Sequence, residues 1–423
     1  MSKLLLMMSF FMLAAAATCV SAQETDTTDA DEARAEAEAA IDTDDDDTAD
    51  IDTASTVDFA DDLVDRFRRL TFIGDFRPLY DYVDRTSRQG VGSSDSTGVF
   101  RLRAKAVGRL ADGIQTGARV AWRCDTDECA PDWYMNTASP AVNGLESGQA
   151  TFDELYLHFF RREKFNATIG RQQTRSVLRG GVFARSLDRN DSNNINVTWT
   201  DGTHLTLRRR EGWETHIIIQ RNATDGTGSI RRGPLNFDES DARISYFVSM
   251  DKAASWGPIV QRTLSVSYLP DSLLMTGDES GPRGDYWGVV GRIAARWPNQ
   301  AEGMRLRLGG EIGYAPEQPD PIAVDLATDV DGLAWNVVAS LMDLRPGHNV
   351  GINFGQTGAG WLLSPNFDDN QQFFEVRYLL RSTKLPPIDV RFRWREDIEQ
   401  RASALQKREV FDMFVRMTFQ FGS

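Results

Sequence analysis

Three short stretches place basic side chains at every second position. Arg101, Arg103 and Lys105 alternate with Phe100, Leu102, Ala104 and Ala106; Arg305 and Arg307 alternate with Met304, Leu306 and Leu308; Arg391, Arg393 and Arg395 alternate with Val390, Phe392 and Trp394. A period of two turns the cations to one face of an extended chain and the apolar residues to the other. Rows of guanidinium groups attract anions, and a watered surface is the only place that tolerates them at this density. Arg119 and Arg123 extend the set, and the segment Gln173 to Asn193 adds Arg175, Arg179, Arg185 and Arg189 around Gly180 and Gly181. Glu154, Glu311 and Glu375 are the acids placed to offset them.

Bond-making chemistry has little to work with. His158, His204, His216 and His348 are isolated along the chain, and there is no phosphate loop, CxxC pair or HExxH helix. No catalytic residue, metal site, cofactor or nucleic-acid partner is therefore expected. Cys124 and Cys129, with four residues between them, are the only cysteines beyond the first 22 positions. In an exported chain they are expected to form a loop disulfide. The acids Asp125, Asp127 and Glu128 between them lack the further ligands that a cation site needs.

Export is indicated by Lys3, the apolar run Leu4 to Ala17 and the small-residue pattern Val20-Ser21-Ala22, which together read as a signal peptide over 1–22. Cys19 does not sit in a lipoprotein pattern, because Thr18 and Ala16 occupy the positions where a small residue and Leu belong. Residues 24–65 then hold 18 acidic residues and one Arg, so 23–65 reads as a disordered acidic linker. The whole chain carries −15; that segment carries −17 and Lys3 +1, which leaves residues 66–423 at +1. The low pI belongs to the linker, and within the folded part the position of each charge matters more than the total.

From Leu70 onward the chain repeats units of about ten alternating residues separated by turns, the length a tilted strand needs to cross hydrocarbon. No apolar run after the first is long enough for a spanning helix. The last unit, Val410 to Phe421, turns Phe411, Met413, Val415, Met417, Phe419 and Phe421 one way and Asp412, Arg416, Thr418 and Gln420 the other. Counting back from it, long and short connections alternate, which a Greek-key sandwich has no reason to do. The expected fold is all-β, a transmembrane antiparallel barrel over 66–423. It has 16 strands if Ile195 to Arg210 is one strand running through Asp201-Gly202-Thr203, or 18 if a hairpin turns at Gly202 and a further strand lies near Ile230 to Phe237.

The signal peptide, the alternating strands, the aromatic-ended last strand and the run from Phe152-Asp153-Glu154-Leu155-Tyr156 to Ile169-Gly170-Arg171-Gln172 resemble Gram-negative outer-membrane porins. The Gly-Arg-Gln segment is similar to that of phosphate-selective porins and alginate-export barrels, although Gly422 and Ser423 follow the terminal Phe. The resemblance implies an outer-membrane barrel among lipid and lipopolysaccharide, inserted by the barrel assembly machinery and able to form homotrimers. An early long loop would fold into its lumen. The loop after Gln172 would then form, with Arg101, Arg103, Lys105, Arg119, Arg123, Arg305, Arg307, Arg391 and Arg393, a basic constriction for small anionic solutes. The alternatives are a barrel for anionic polysaccharide or oligosaccharide, and a non-conducting outer-membrane enzyme or adhesion barrel.

Overall fold

The computed structural model describes residues 70–422, with interruptions at 134–144, 146, 162–163, 192–196, 210–211, 223–242, 253–255, 277–280, 299–302 and 365–366. The expected leader and acidic linker, and the alternative strand near 230–237, lie outside the described residues.

Sixteen antiparallel strands follow one another in chain order. They run Thr71–Thr86, Gly92–Ala111, Ile114–Asp125, Gln149–Arg161, Phe165–Gln172, Thr200–Arg209, Trp213–Asn222 and Arg243–Lys252, then Ile259–Leu274, Arg283–Pro298, Arg305–Tyr314 and Leu333–Arg345. His348–Thr357, Gln371–Leu380, Ile388–Asp397 and Glu409–Met417 follow, the last continued by Phe419–Gly422. That final strand returns to the first, with Leu79 opposite Arg416 and Ile73 opposite Gly422. Closure leaves no edge strand with unpaired backbone groups, which a hydrocarbon surrounding requires. Two small additions complete the described sheet structure: Asp132–Trp133 lies parallel to Gln149–Arg161, and Arg175–Ser176 pairs with Arg189–Asn190.

Side-chain alternation sorts the residues as the last strand predicts. Phe411, Phe419 and Phe421 are exposed, while Val410, Asp412, Phe414 and Arg416 are buried. Neighbouring strands continue the outer apolar band with Val248, Met250, Leu264, Ile293, Ile312, Val337 and Ile352. Their inner faces carry Ser245, Ser249, Gln261, Thr263, Ser265 and Asn336. An apolar band of this extent on the outside and a polar inside is the reverse of a soluble barrel.

Connections at one end are tight, among them Asp112-Gly113 and Pro346-Gly347, whose glycines take φ of +73° and +78°. The chain termini of the barrel lie at this end. The other end carries the long connections 126–148, 173–199, 315–332, 358–370 and 398–408, although 87–91 and 275–282 at the same end are short.

The doubtful segment resolves in favour of sixteen strands. Gly202 sits within a strand, opposite Gly170 on one side and Gln220 on the other, so no hairpin turns there. The strand is nevertheless shorter than the alternation suggests, because it begins at Thr200. Val197 and Trp199 instead pack with Ala121 and Leu145 in a buried cluster, and the Val197 carbonyl accepts from Leu145 N–H at 3.1 Å. Trp199 is held there because its indole N–H donates to Asp201 at 3.1 Å and its ring lies 4.5 Å from the Arg171 guanidinium. Arg171 in turn forms a two-pronged pair with Asp201, at 2.9 and 3.1 Å. The Gly-Arg-Gln segment thus anchors the end of the long loop.

Candidate functional site

Residues 173–191 of the connection fold into the barrel and are tied to the far wall at several points. Arg179 N–H donates to Gln261 at 2.7 Å, and the Gln261 amide donates to the Val177 carbonyl at 2.9 Å. Ser340 donates to the Gly180 carbonyl at 2.6 Å and accepts from Val182 N–H at 3.3 Å. Leu187 N–H donates to Glu311 at 2.9 Å, and the Leu187 carbonyl accepts from the Trp361 indole at 3.0 Å. Glu311 also accepts from Arg292 Nε at 2.6 Å, while Arg292 Nη2 pairs with Asp188. The wall makes room for this: a Cβ at Gly351 would come within 2.5 Å of Val182, and one at Gly313 within 2.7 Å of Trp361. Leu178, Val182 and Phe183 fill the space against Ala294, Val338 and Met342.

The predicted loop arginines take different roles. Arg185 pairs with Glu375 across the interior. Arg189, expected only as part of the basic loop, is a strut: its guanidinium donates to Thr174 and Thr200, both at 2.7 Å, and to Gln220. Arg179 stays partly exposed, 3.5 Å from Asp251. Arg175 is exposed and its strand bridges to Asn190.

Opposite the loop, seven adjoining strands from Gln371–Leu380 round to Gln149–Arg161 build a wall of alternating charges. Asp75 takes Arg77 and Arg101, each at 2.8 Å. Asp153 takes Arg103 at 3.0 Å and Arg119 at 2.9 Å, and Glu154 takes Lys105 at 2.8 Å and Arg119 at 2.7 Å. Asp412 receives three guanidiniums, Arg391 at 2.7 Å, Arg393 at 2.9 Å and Arg395 at 3.0 Å. Asp389 takes Arg377 and Arg416, both at 2.5 Å. With Asp81 and Glu375 beside Arg391 and Arg393, the wall sets ten cations against seven carboxylates.

Six of the twelve predicted cations therefore meet on one wall: Arg101, Arg103, Lys105, Arg119, Arg391 and Arg393. The other six do not join it. Arg305 pairs with Asp343 at 2.6 Å near the short turns, Arg307 shares the inner face of the same strand, and Arg123 donates to the Leu145 carbonyl at 2.7 Å in an outer loop. Arg175, Arg179 and Arg185 belong to the inward loop. The expected set thus divides into a wall and a facing loop, with Arg123, Arg305 and Arg307 apart from both. Arg77, Arg377 and Arg416 are wall members that sequence reasoning passed over, because none of them stands in a row of cations at every second position.

The outer loops are bound to one another above the lumen. Arg401 reaches Asp369 at 2.7 Å and the Val324 carbonyl, and Ser403 N–H donates to Asp325 at 3.0 Å. Arg88 clasps Asp397 at 2.6 and 3.0 Å, and that hydrogen bonding raises the pKa of its guanidinium above the ordinary value. Nearer the first turn of the outer loops, Cys124 and Cys129 have Cα atoms 4.5 Å apart and adjacent sulfurs.

The histidines are not all isolated. His204 and His216 sit on paired strands with ring nitrogens 3.2 Å apart, Thr206 lies 3.2 Å from the latter, and His158 bonds Thr168 at 2.9 Å. Hairpin pairing brings together residues twelve apart in sequence.

No protein-family model matches the chain, and no curated protein sequence does. Solved structures do. OprB of Pseudomonas putida, in its high-pH structure, superposes with a TM-score of 0.52 at 10% identity, covering 86% of this chain and 96% of that one. The fold is that of an outer-membrane porin. OmpF of Salmonella typhi in complex with daunomycin gives 0.49 at 12% identity over 83% of this chain and 97% of its own. OprD of Pseudomonas aeruginosa gives 0.43 at 12% over 83% and 94%. A closed barrel with this apolar outer band fits a bilayer, with lipid against the outward phenylalanines.

Proposed function

We propose that the chain is a water-filled diffusion channel for small polar solutes in which anions are favoured. The observation that carries this is the excess of guanidinium over carboxylate on the wall facing the inward loop. Most of those guanidiniums hold a carboxylate, so the field is weaker than the arginine count alone suggests; the surplus of three positive charges sets its sign. Passage needs no bond chemistry. Solutes move down their gradient and are selected by width and by charge at the loop.

Purified protein in a planar bilayer, under a potassium chloride gradient, is expected to show a reversal potential of the sign set by chloride permeation. A reversal potential of the opposite sign overturns anion preference but leaves the channel, and zero conductance favours a filled barrel instead.

We further propose that Cys124 and Cys129 form a disulfide in the exported protein, tying the last turn of a strand to its outer loop. Intact mass before and after reduction is expected to differ by two hydrogen atoms, and alkylation of both thiols without reduction contradicts it.

A further inference from the structure

On the inner face near the short turns, hairpin pairing gathers side chains that the passage of anions does not use. His204 and Thr206 lie on the strand Thr200–Arg209 and His216 on Trp213–Asn222, with Thr206 opposite His216 and His204 opposite Ile218. Ile219 is exposed on the outside, so His216 and Ile218 have the inward parity, and their partners Thr206 and His204 turn inward with them. The polar row continues on the two preceding strands, where Thr168 is opposite His204 and His158 is opposite Thr168. Spacing along the chain hides this grouping, because the two imidazoles are twelve residues apart.

His204 Nε2 lies 3.2 Å from His216 Nδ1, and Thr206 Oγ1 lies 3.4 Å from the first and 3.2 Å from the second. The three atoms form a nearly equilateral triangle, and a hydrogen bond between the rings uses only one side of it. An ion bonded to imidazole at about 2.1 Å keeps its ligand atoms roughly 3.4 Å apart in tetrahedral geometry and roughly 3.0 Å apart in octahedral geometry. One cation therefore fits all three sides. Glu214 Oε2 stands 3.8 Å from His216 Nε2, on the far side of that ring, which favours a proton there and leaves Nδ1 bare. Asp251 is opposite Glu214, so two carboxylates face the same stretch of lumen. Arg208, 3.0 Å from Glu214, and Arg179, 3.5 Å from Asp251, offset them in part.

We propose that His204 and His216 bind a divalent transition-metal ion in the lumen, with the Thr206 hydroxyl as a third, weaker ligand and water in the remaining positions. Neutral imidazole selects ions such as Cu2+, Ni2+ and Zn2+ over Ca2+ and Mg2+, which take oxygen. Among the described residues, no third His, Cys, Asp or Glu completes a metal-holding group. Two nitrogens thus fix the ion, and the open positions let it exchange, unlike a closed structural site. The His216 side chain is 27% exposed, so an ion in the lumen reaches it. Once bound, the ion adds positive charge to the inner face near the short-turn mouth. The site needs the barrel to be folded but not to conduct.

The test is electron paramagnetic resonance of the full-length protein, without an affinity tag and folded in detergent, in the presence of one equivalent of Cu2+. The wild type is expected to show coupling to two nitrogens. His204→Gln and His216→Gln are each expected to lose one nitrogen and to raise the Cu2+ concentration at half-saturation by at least roughly tenfold, since even outer-shell changes cost that much. His348→Gln, on a distant strand where the ring bonds the Tyr378 hydroxyl at 2.7 Å, is expected to match the wild type. The acidic residues within 24–65 offer carboxylate oxygen, so a wild-type spectrum with oxygen ligands alone overturns the site. A two-nitrogen spectrum that survives in either single variant overturns it as well. The wild-type spectrum decides even where a variant misfolds.

Discussion

Replacing Arg292 by alanine is expected to free the inward loop, raising single-channel conductance and current noise and lowering stability in the bilayer by ~3–5 kcal/mol. Arg292 is fully buried and holds two carboxylates at once, Asp188 from the loop and Glu311 from the neighbouring strand. Its remaining nitrogen donates to Ser265 at 2.7 Å. Removing it leaves two buried carboxylates facing each other, which costs more than the loss of either bond. The loop then loses the contact at Asp188, and with it the geometry in which Leu187 N–H meets Glu311 and the Trp361 indole meets Leu187. Arg292→Lys keeps the charge without the planar fork and is expected to fall between the two. Urea titration of the folded barrel reads the stability, and bilayer recording reads the loop. A variant with wild-type conductance and noise would mean that the apolar contacts of Leu178, Val182 and Phe183 hold the loop without this centre.

Much of the barrel could be read in advance because period-two alternation is imposed directly by the pleat. Phe165 and Ile169 turn outward from one strand as the period demands, and the sixteen-strand alternative rests on parity through Gly202, which is a strand position. The same signal misled at Val197 and Trp199, since a packed segment and a strand can show the same local alternation. What separates them there is the Arg171–Asp201 pair, whose partners are thirty residues apart. The charged wall was legible as rows of arginine and illegible as pairs. Arg103 and Asp153 belong to strands that are not adjacent, and Arg292 and Asp188 are joined only because the loop folds inward. Register around the barrel decides such contacts, and register is a long-range property that no single strand encodes.

Replacing Asp412 by asparagine is expected to make the channel more anion-selective and to lower stability by roughly 3 kcal/mol, the low end for breaking a buried ion cluster. Asp412 is almost wholly buried, and the three guanidiniums it holds come from successive inward positions of the preceding strand. Without its charge, Arg391, Arg393 and Arg395 repel one another, offset only in part by Asp81, Glu375 and Asp368 nearby. The neutral amide also offers two N–H donors to groups that only donate. Selectivity and stability should therefore move in opposite directions, a signature that simple loss of packing does not give. Added phosphate is expected to recover part of the lost stability, because an anion can take the place of the carboxylate among the three arginines. Combining the change with Arg393→Gln should restore the wild-type reversal potential and more stability than either substitution alone predicts. An unchanged reversal potential in the single variant would place these arginines off the path of the permeating ion, and the preference would then have to come from Arg101, Arg103 and Arg119 on the strands beyond.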